Sequence, residues 1–209
     1  MDGSDSPHLA MAGDRTGAIL PRGSMGHVKG SAIASRVHFV RARYGQAGLA
    51  EVLGQMSREN AVLLSRETPP AAWVPFSVFV ELNVTADRVF GAGDLGLCLE
   101  MGRYGAEQNL PTLYKLFYRL GTPQYILSRA ARLWDVHYDS GRLRLEDAGP
   151  RAMRMRIEGF DQPHRSHCLS VLGWTTRSIE MSGGKLLTFG ETRCRTFGDS
   201  VCELVADWE

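Results

Sequence analysis

Between Ser31 and Met56 apolar residues recur at three- and four-residue spacings: Val37, Val40 and Tyr44, then Leu49, Val52, Leu53 and Met56. That period predicts two helices, with Gly45 and Gly48 marking a break between them. In the stretch SREN at 57–60, Ser57 reads as the cap of a further helix. The segment ETPPAAWVP at 67–75 is a connector, and Val78 to Phe90 and Leu95 to Tyr104 read as helices again. In NLPTLYKLFYRLG, Asn109 takes the cap position, Pro111 the first turn and Gly121 the stop. TPQYILSRAARLW repeats that arrangement with Thr122 and Pro123.

The period then shortens to two. WDVHYDSGRLRLED reads as two strands around a tight Asp139-Ser140-Gly141 turn. In RAMRMRIEGF, Met153, Met155 and Ile157 alternate with Arg154, Arg156 and Glu158, so one face of the strand is buried and the other is wet. HRSHCLSVLGWTTRSIEMSGG returns to helix and stops at Gly183-Gly184. KLLTFGETRC and SVCELVADW close the pattern as strands, joined by a Phe197-Gly198-Asp199 turn. The succession predicts an α+β domain, in which N-terminal helices pack on an antiparallel β-sheet with one long crossing helix. Residues 1–29 carry no period and read as a disordered leader. Within it, LPRGSM resembles an engineered cleavage scar ahead of Met25, a natural leader being the alternative. Residues 30–209 are expected to form one domain, mostly helical over 30–135 and sheet-forming over 136–209.

Composition narrows the classes of function. The 209 residues are 44% hydrophobic and 22% charged, with a net charge of +1. No basic excess calls for nucleic acid. No apolar run approaches the roughly 20 residues of a membrane span, and no basic-then-apolar secretory signal opens the chain. Four cysteines in this length are too few for a disulfide scaffold. The expected location is therefore the cytoplasm, where thiols stay reduced.

Candidate chemistry gathers near the C-terminus. Cys168 lies on the crossing helix, Glu191 and Cys194 three apart on the following strand, and Cys202 beyond the turn. Three thiols and a carboxylate form a donor set that zinc accepts, while three buried cysteines and a surface glutamate remain the alternative. His164 and His167, beside Cys168, read chiefly as first-turn surface residues, as do the acidic Glu158 and Asp161. Cys98 reads as plain core. No nucleophile elbow, zinc-protease helix, phosphate loop or dinucleotide fingerprint is present; GAGDLG at 91–96 reads as a turn. No catalytic residue is assigned, and an enzyme is not expected.

Residues 137–209 resemble the 4-vinyl reductase domain family, a small-molecule-binding domain that also forms the sensory part of bacterial regulators for aromatic compounds. The likeness rests on Tyr138-Asp139-Ser140-Gly141-Arg142, on Cys168 with Val171-Leu172-Gly173-Trp174, and on Glu191, Cys194, Gly198, Asp199 and Cys202. In phenol-sensing members the one Glu and three Cys positions hold a structural zinc ion. The resemblance thus implies Zn2+ on Cys168, Glu191, Cys194 and Cys202, a knuckle pinning the crossing helix to the last strands. Arg193 and Arg195 would offset its excess negative charge. It further implies a ligand pocket walled by the helical aromatics Tyr114, Phe117, Tyr118 and Trp134, although a stripe of that spacing also suits a core. The positions that fix phenol fall near Gly121 and Gly149, so a different, more lipophilic ligand is expected. The wider superfamily includes haem–nitric oxide sensors and TRAPP-type transport subunits. YDSGR fits the Y-x-S-x-R motif that holds haem propionates in the former, but the stretch 95–134 contains no axial histidine. The implied function is a non-enzymatic sensory or adaptor domain, a homodimer signalling to a partner protein, because no ATPase or DNA-binding domain is seen in the chain. A ligand-free interaction scaffold and an accessory role in tetrapyrrole metabolism are the rivals.

Overall fold

The computed structural model describes residues 26–114 and 122–209. Its first element lies inside the expected leader. Strand β1 (His27–Lys29) pairs antiparallel with β2 (Trp73–Pro75), and Val28 between them is fully buried. The His27 N–H donates to the Asp139 carboxylate at 2.7 Å, and Val28 bridges to Tyr138. The leader expectation for residues 1–25 lies outside the described residues.

Helix α1 (Gly30–Gly54) runs through the expected break as one element, kinked at Gly45, where φ is +73°. Ser57 precedes α2 (Arg58–Leu64) without capping it; its Oγ donates instead to Glu81 at 2.9 Å. Glu81 belongs to α3 (Phe76–Phe90), whose buried face carries Phe76, Phe79, Leu82 and Ala86 at helical spacing. Helix α4 (Gly96–Tyr114) extends well past the expected end at Tyr104 and continues through Asn109 and Pro111. A cap and first turn were expected there. Pro111 lacks an N–H, so the carbonyl four residues back loses its helical donor without the helix ending. Gly121 lies outside the described residues. Helix α5 (Pro123–His137) starts as the sequence indicates: the Thr122 side chain accepts from the Tyr125 N–H at 3.4 Å, with Pro123 in the first turn.

Four antiparallel strands follow: β3 (Arg142–Asp147), β4 (Ala152–Glu158), β5 (Leu186–Arg193) and β6 (Cys202–Trp208), in the order β3-β4-β6-β5. The expected strand before Asp139 is the end of α5, so the hairpin is β3–β4 and its turn falls at 148–151. Met153 and Met155 of β4 face Ala206 and Leu204 of β6 within one buried layer, and Ile157 faces Cys202. The opposite face carries an ion-pair network in which Arg156 bonds Glu203 at 2.6 Å and also bonds Glu146.

Crossing this sheet is α6 (Arg165–Met181). It meets α4 backbone to backbone: a Cβ on Gly102 would lie 2.0 Å from the Ser170 carbonyl oxygen, and one on Gly173 2.0 Å from that of Leu99. Only glycine allows this approach. The result is the expected α+β fold, with helices on one face of an antiparallel sheet.

Candidate metal centre

Cys168 sits in the first turn of α6. The helix begins at His164, whose Nδ1 accepts from the Ser166 N–H at 3.2 Å, and the Cys168 N–H donates to the His164 carbonyl. Cys202 opens β6 on the face shared with Leu204. Cys194 directly follows the edge strand β5. There, Glu191 pairs with Leu204 and Arg193 with Glu203, so Thr192 is an extra residue in the ladder. Residues three apart on a regular strand point to opposite faces. The bulge at Thr192 changes that parity, and Glu191 and Cys194 both come to the α6 side.

The loop after Cys194 is tightly held. Its N–H donates to the Asp199 carboxylate at 2.8 Å, while the Phe197 and Asp199 N–H groups return to its carbonyl at 2.9 and 3.3 Å. A short 3-10 turn (Arg195–Phe197) ends at Gly198, where φ is +100°, a conformation that glycine adopts without strain. The Arg195 N–H donates to Cys202 Sγ at 3.4 Å, and Thr196 Oγ lies 2.9 Å from Cys194 Sγ.

The three sulfurs therefore converge. Cys168 Sγ lies 3.7 Å from Cys194 Sγ and 3.8 Å from Cys202 Sγ, and all three sulfurs lie within 4.8 Å of one another. A disulfide needs about 2.05 Å. Tetrahedral zinc, with Zn–S near 2.3 Å, places its sulfurs about 3.8 Å apart. All four cysteines are free and buried. Cys98 is plain core, its thiol pushed up to about 12 by burial.

Glu191 stands beside the sulfurs rather than within the same close group. Arg165 Nη1 bonds its Oε2, while its Oε1 is buried without a hydrogen-bond partner. Burial, together with the negative charge at Cys194, pushes the Glu191 carboxyl up to about 8 against the pull of Arg165. Hydrogen bonds from Cys168 and then Cys202 press the Cys194 thiol well below its ordinary range. Cys168 is raised in return, first by its bond to Cys194. Arg165 Nη1 also lies 3.9 Å from Cys194 Sγ, and its guanidinium stacks over Phe197. The compensating cation is therefore Arg165. Of Arg193 and Arg195, the pair expected in that role, Arg195 turns to the Phe160 carbonyl. The donor set and the orphaned carboxylate oxygen fit a tetrahedral, closed metal site.

Of the expected pocket residues, Trp134 alone has a described side chain. Trp134 is 4% exposed; its Nε1 donates to the Ser140 carbonyl at 3.0 Å, and its ring packs on Tyr138, Phe160 and His167. It is core, not an open wall. Tyr114 ends α4, but its side chain lies outside the described residues, as do Phe117 and Tyr118. His167, expected at the surface, is 2% exposed and stacked on Phe160. Burial, then the charge of Arg36, pushes its imidazole down to about 3. A cleft of about 450 Å³ opens between Asn60, Phe76, Val80, Glu81, Val84 and His164.

No protein-family model matches the chain, and no curated protein sequence matches it. Its fold is nonetheless that of solved H-NOX structures. An H-NOX protein from S. oneidensis in the Fe(II)NO ligation state superposes with a TM-score of 0.69 at 12% identity, over 87% of this chain and 99% of that one. An oxygen-binding H-NOX domain related to soluble guanylate cyclases gives 0.64 at 12% identity, over 87% and 95%. A Cs H-NOX mutant gives 0.63 at 16%, over 87% and 96%. The residues described here do not fit a haem. Helix α4 carries no histidine. The Tyr138 ring of the Y-x-S-x-R motif is packed among Phe76, Trp134, Phe160 and His167.

Proposed function

We propose that this chain is a non-enzymatic sensory or adaptor domain that binds a small apolar or aromatic ligand and relays its presence to a partner protein. Its H-NOX-like fold, over 87% of its length, supports the reading; structures of that fold are described in NO- and oxygen-bound states. A structural Zn2+ held by Cys168, Glu191, Cys194 and Cys202 is part of the proposal. The observation that carries the metal assignment is the 3.7 and 3.8 Å spacing of the sulfurs beside an unpartnered Glu191 oxygen. When bound, the ion supplies no chemistry beyond cross-linking, since four protein donors leave no open position. The chain's own residues do the rest: the Thr192 bulge aims Glu191, Arg165 offsets charge, and Asp199 fixes the loop. Four free thiols suit the cytoplasm. Residues 26–209 act as one unit, which we place in a homodimer.

Native mass spectrometry with metal analysis tests the whole reading. One zinc per chain, a co-purified organic ligand and a dimeric mass are expected. A metal-free protein whose thermal stability ignores chelators sinks the metal site. The scaffold rival is favoured by exposed Trp73, Leu187 and Phe197; protein with no ligand, and no thermal shift with aromatics or fatty acids, would select it.

A further inference from the structure

Arg36 lies on the buried stripe of α1, between Ile33 and Val40, and is 6% exposed. Its guanidinium sits 5.0 Å from the Phe79 ring. One Nη donates to Ser35 Oγ at 2.9 Å and the other to Ser170 Oγ, while its Nε–H has no partner. The neighbours that act on its charge are Tyr138 and Cys98, each pushed up to about 12 by burial and therefore neutral. Asp87, a carboxylate that acts on Cys98, is committed to the N–H groups of Leu95 and Leu97, both at 2.9 Å. Among the described residues, no carboxylate bonds Arg36.

Two further polar side chains of this interior lack partners. Asn83, fully buried one turn beyond Phe79 on α3, has neither its amide nitrogen nor its oxygen bonded. His167, whose ring is 6.0 Å from Phe79 and which lies one turn before Ser170, has an unbonded Nε2. Water can satisfy neutral groups of this kind. A buried cation without an anion is a different matter, because water does not neutralise its charge.

We propose that Arg36, Asn83 and His167 form a buried site for a monocarboxylate whose apolar body lies toward α3. Arg36 supplies the charge and the planar N–H donors that suit a carboxylate. Asn83 Nδ2 donates, and His167 Nε2 gives a third polar contact. Phe76 borders both this site and the 450 Å³ cleft, with its ring 5.2 Å from that of His167, so it stands between the two. The inference rests on the ligand-binding reading above and names the class of ligand.

Thermal unfolding and titration calorimetry of the full chain test it with benzoate, butyrate, phenol and chloride. Benzoate or butyrate should raise the wild-type Tm saturably, with no shift from chloride at the same concentration. Arg36→Met should weaken carboxylate binding at least ten-fold while leaving the unliganded protein as stable or more so. Phenol shifting the wild type and R36M equally would keep the ligand-binding reading and overturn this site. Chloride matching the carboxylates, or no carboxylate shifting the wild type, would also overturn it. Should R36M not fold, Arg36→Lys keeps the charge and loses the fork; unchanged carboxylate affinity in R36K would defeat the proposal.

Discussion

Asp87 shows how one buried carboxylate sets a local fold. It accepts from Leu95 and Leu97, and Leu95 is the only described non-glycine residue with positive φ, at 68°. The GAGDLG stretch is therefore a turn, as its glycines suggest, but its anchor lies four residues upstream of it. Asp87→Ala should cost about 3 kcal/mol, by removing two charge-assisted hydrogen bonds from a buried place; urea denaturation measures it. Glu81 offers the pH counterpart. Burial works upward on its carboxyl, but bonds from the Ser57 N–H, Asn60 and Ser57 Oγ outweigh it and leave it below its ordinary 4.5. A depressed carboxylate stabilises above its unfolded pKa and loses that contribution as pH falls through the folded value. The wild type should thus be more stable than Glu81→Gln at pH 6, and the gap should close as urea midpoints are followed down to pH 3. Equal gaps at both ends would remove Glu81 from the account. The sequence could be read at this scale only where periodicity speaks. The stripe read from the sequence ran through Val37, Val40 and Tyr44 and passed over Arg36, which lies in register with Ile33 and Val40. Arg165 escaped notice too, since any first-turn arginine looks solvent-facing until the strand it meets is placed.

At the scale of elements the alternation of Met153, Met155 and Ile157 announced β4, and Thr122-Pro123 announced α5, because those patterns follow from backbone geometry. The hairpin at Asp139-Ser140-Gly141 was misread for a physical reason. Turn-forming residues were present, but Asp139 is engaged by His27, 112 positions away, and that long-range bond ends a helix instead of reversing a strand. Asn109 and Pro111 misled likewise, since α4 continues through residues that locally favour a helix start. The four metal-ligand candidates were readable as a set. That Glu191 and Cys194 come to one side was not, because they are out of phase on any regular strand. Deletion of Thr192 should restore the regular ladder and turn one of the two away. Bound zinc should then fall from one per chain toward zero, with far-ultraviolet circular dichroism unchanged. Full zinc retention in that variant would assign the aiming of Glu191 to something other than the bulge.

For the whole molecule, β1 decides where the folding unit begins. A boundary at Gly30 cuts away Val28, the pairing with β2 and the bonds to Asp139. A chain starting at Gly30 should lose about 2–4 kcal/mol relative to one starting at Gly26. In a domain of this size that is about 5–10 °C in Tm, readable by calorimetry; identical melting would return β1 to the leader. The same clasp has a consequence for the order of events during synthesis. His27 leaves the ribosome well before Trp73, and 112 residues ahead of Asp139. Its partners do not exist while it waits, and closing so long a loop is entropically slow. The first strand made thus waits for β2 and then for Asp139, so the nascent helices must hold together with their earliest neighbour still loose.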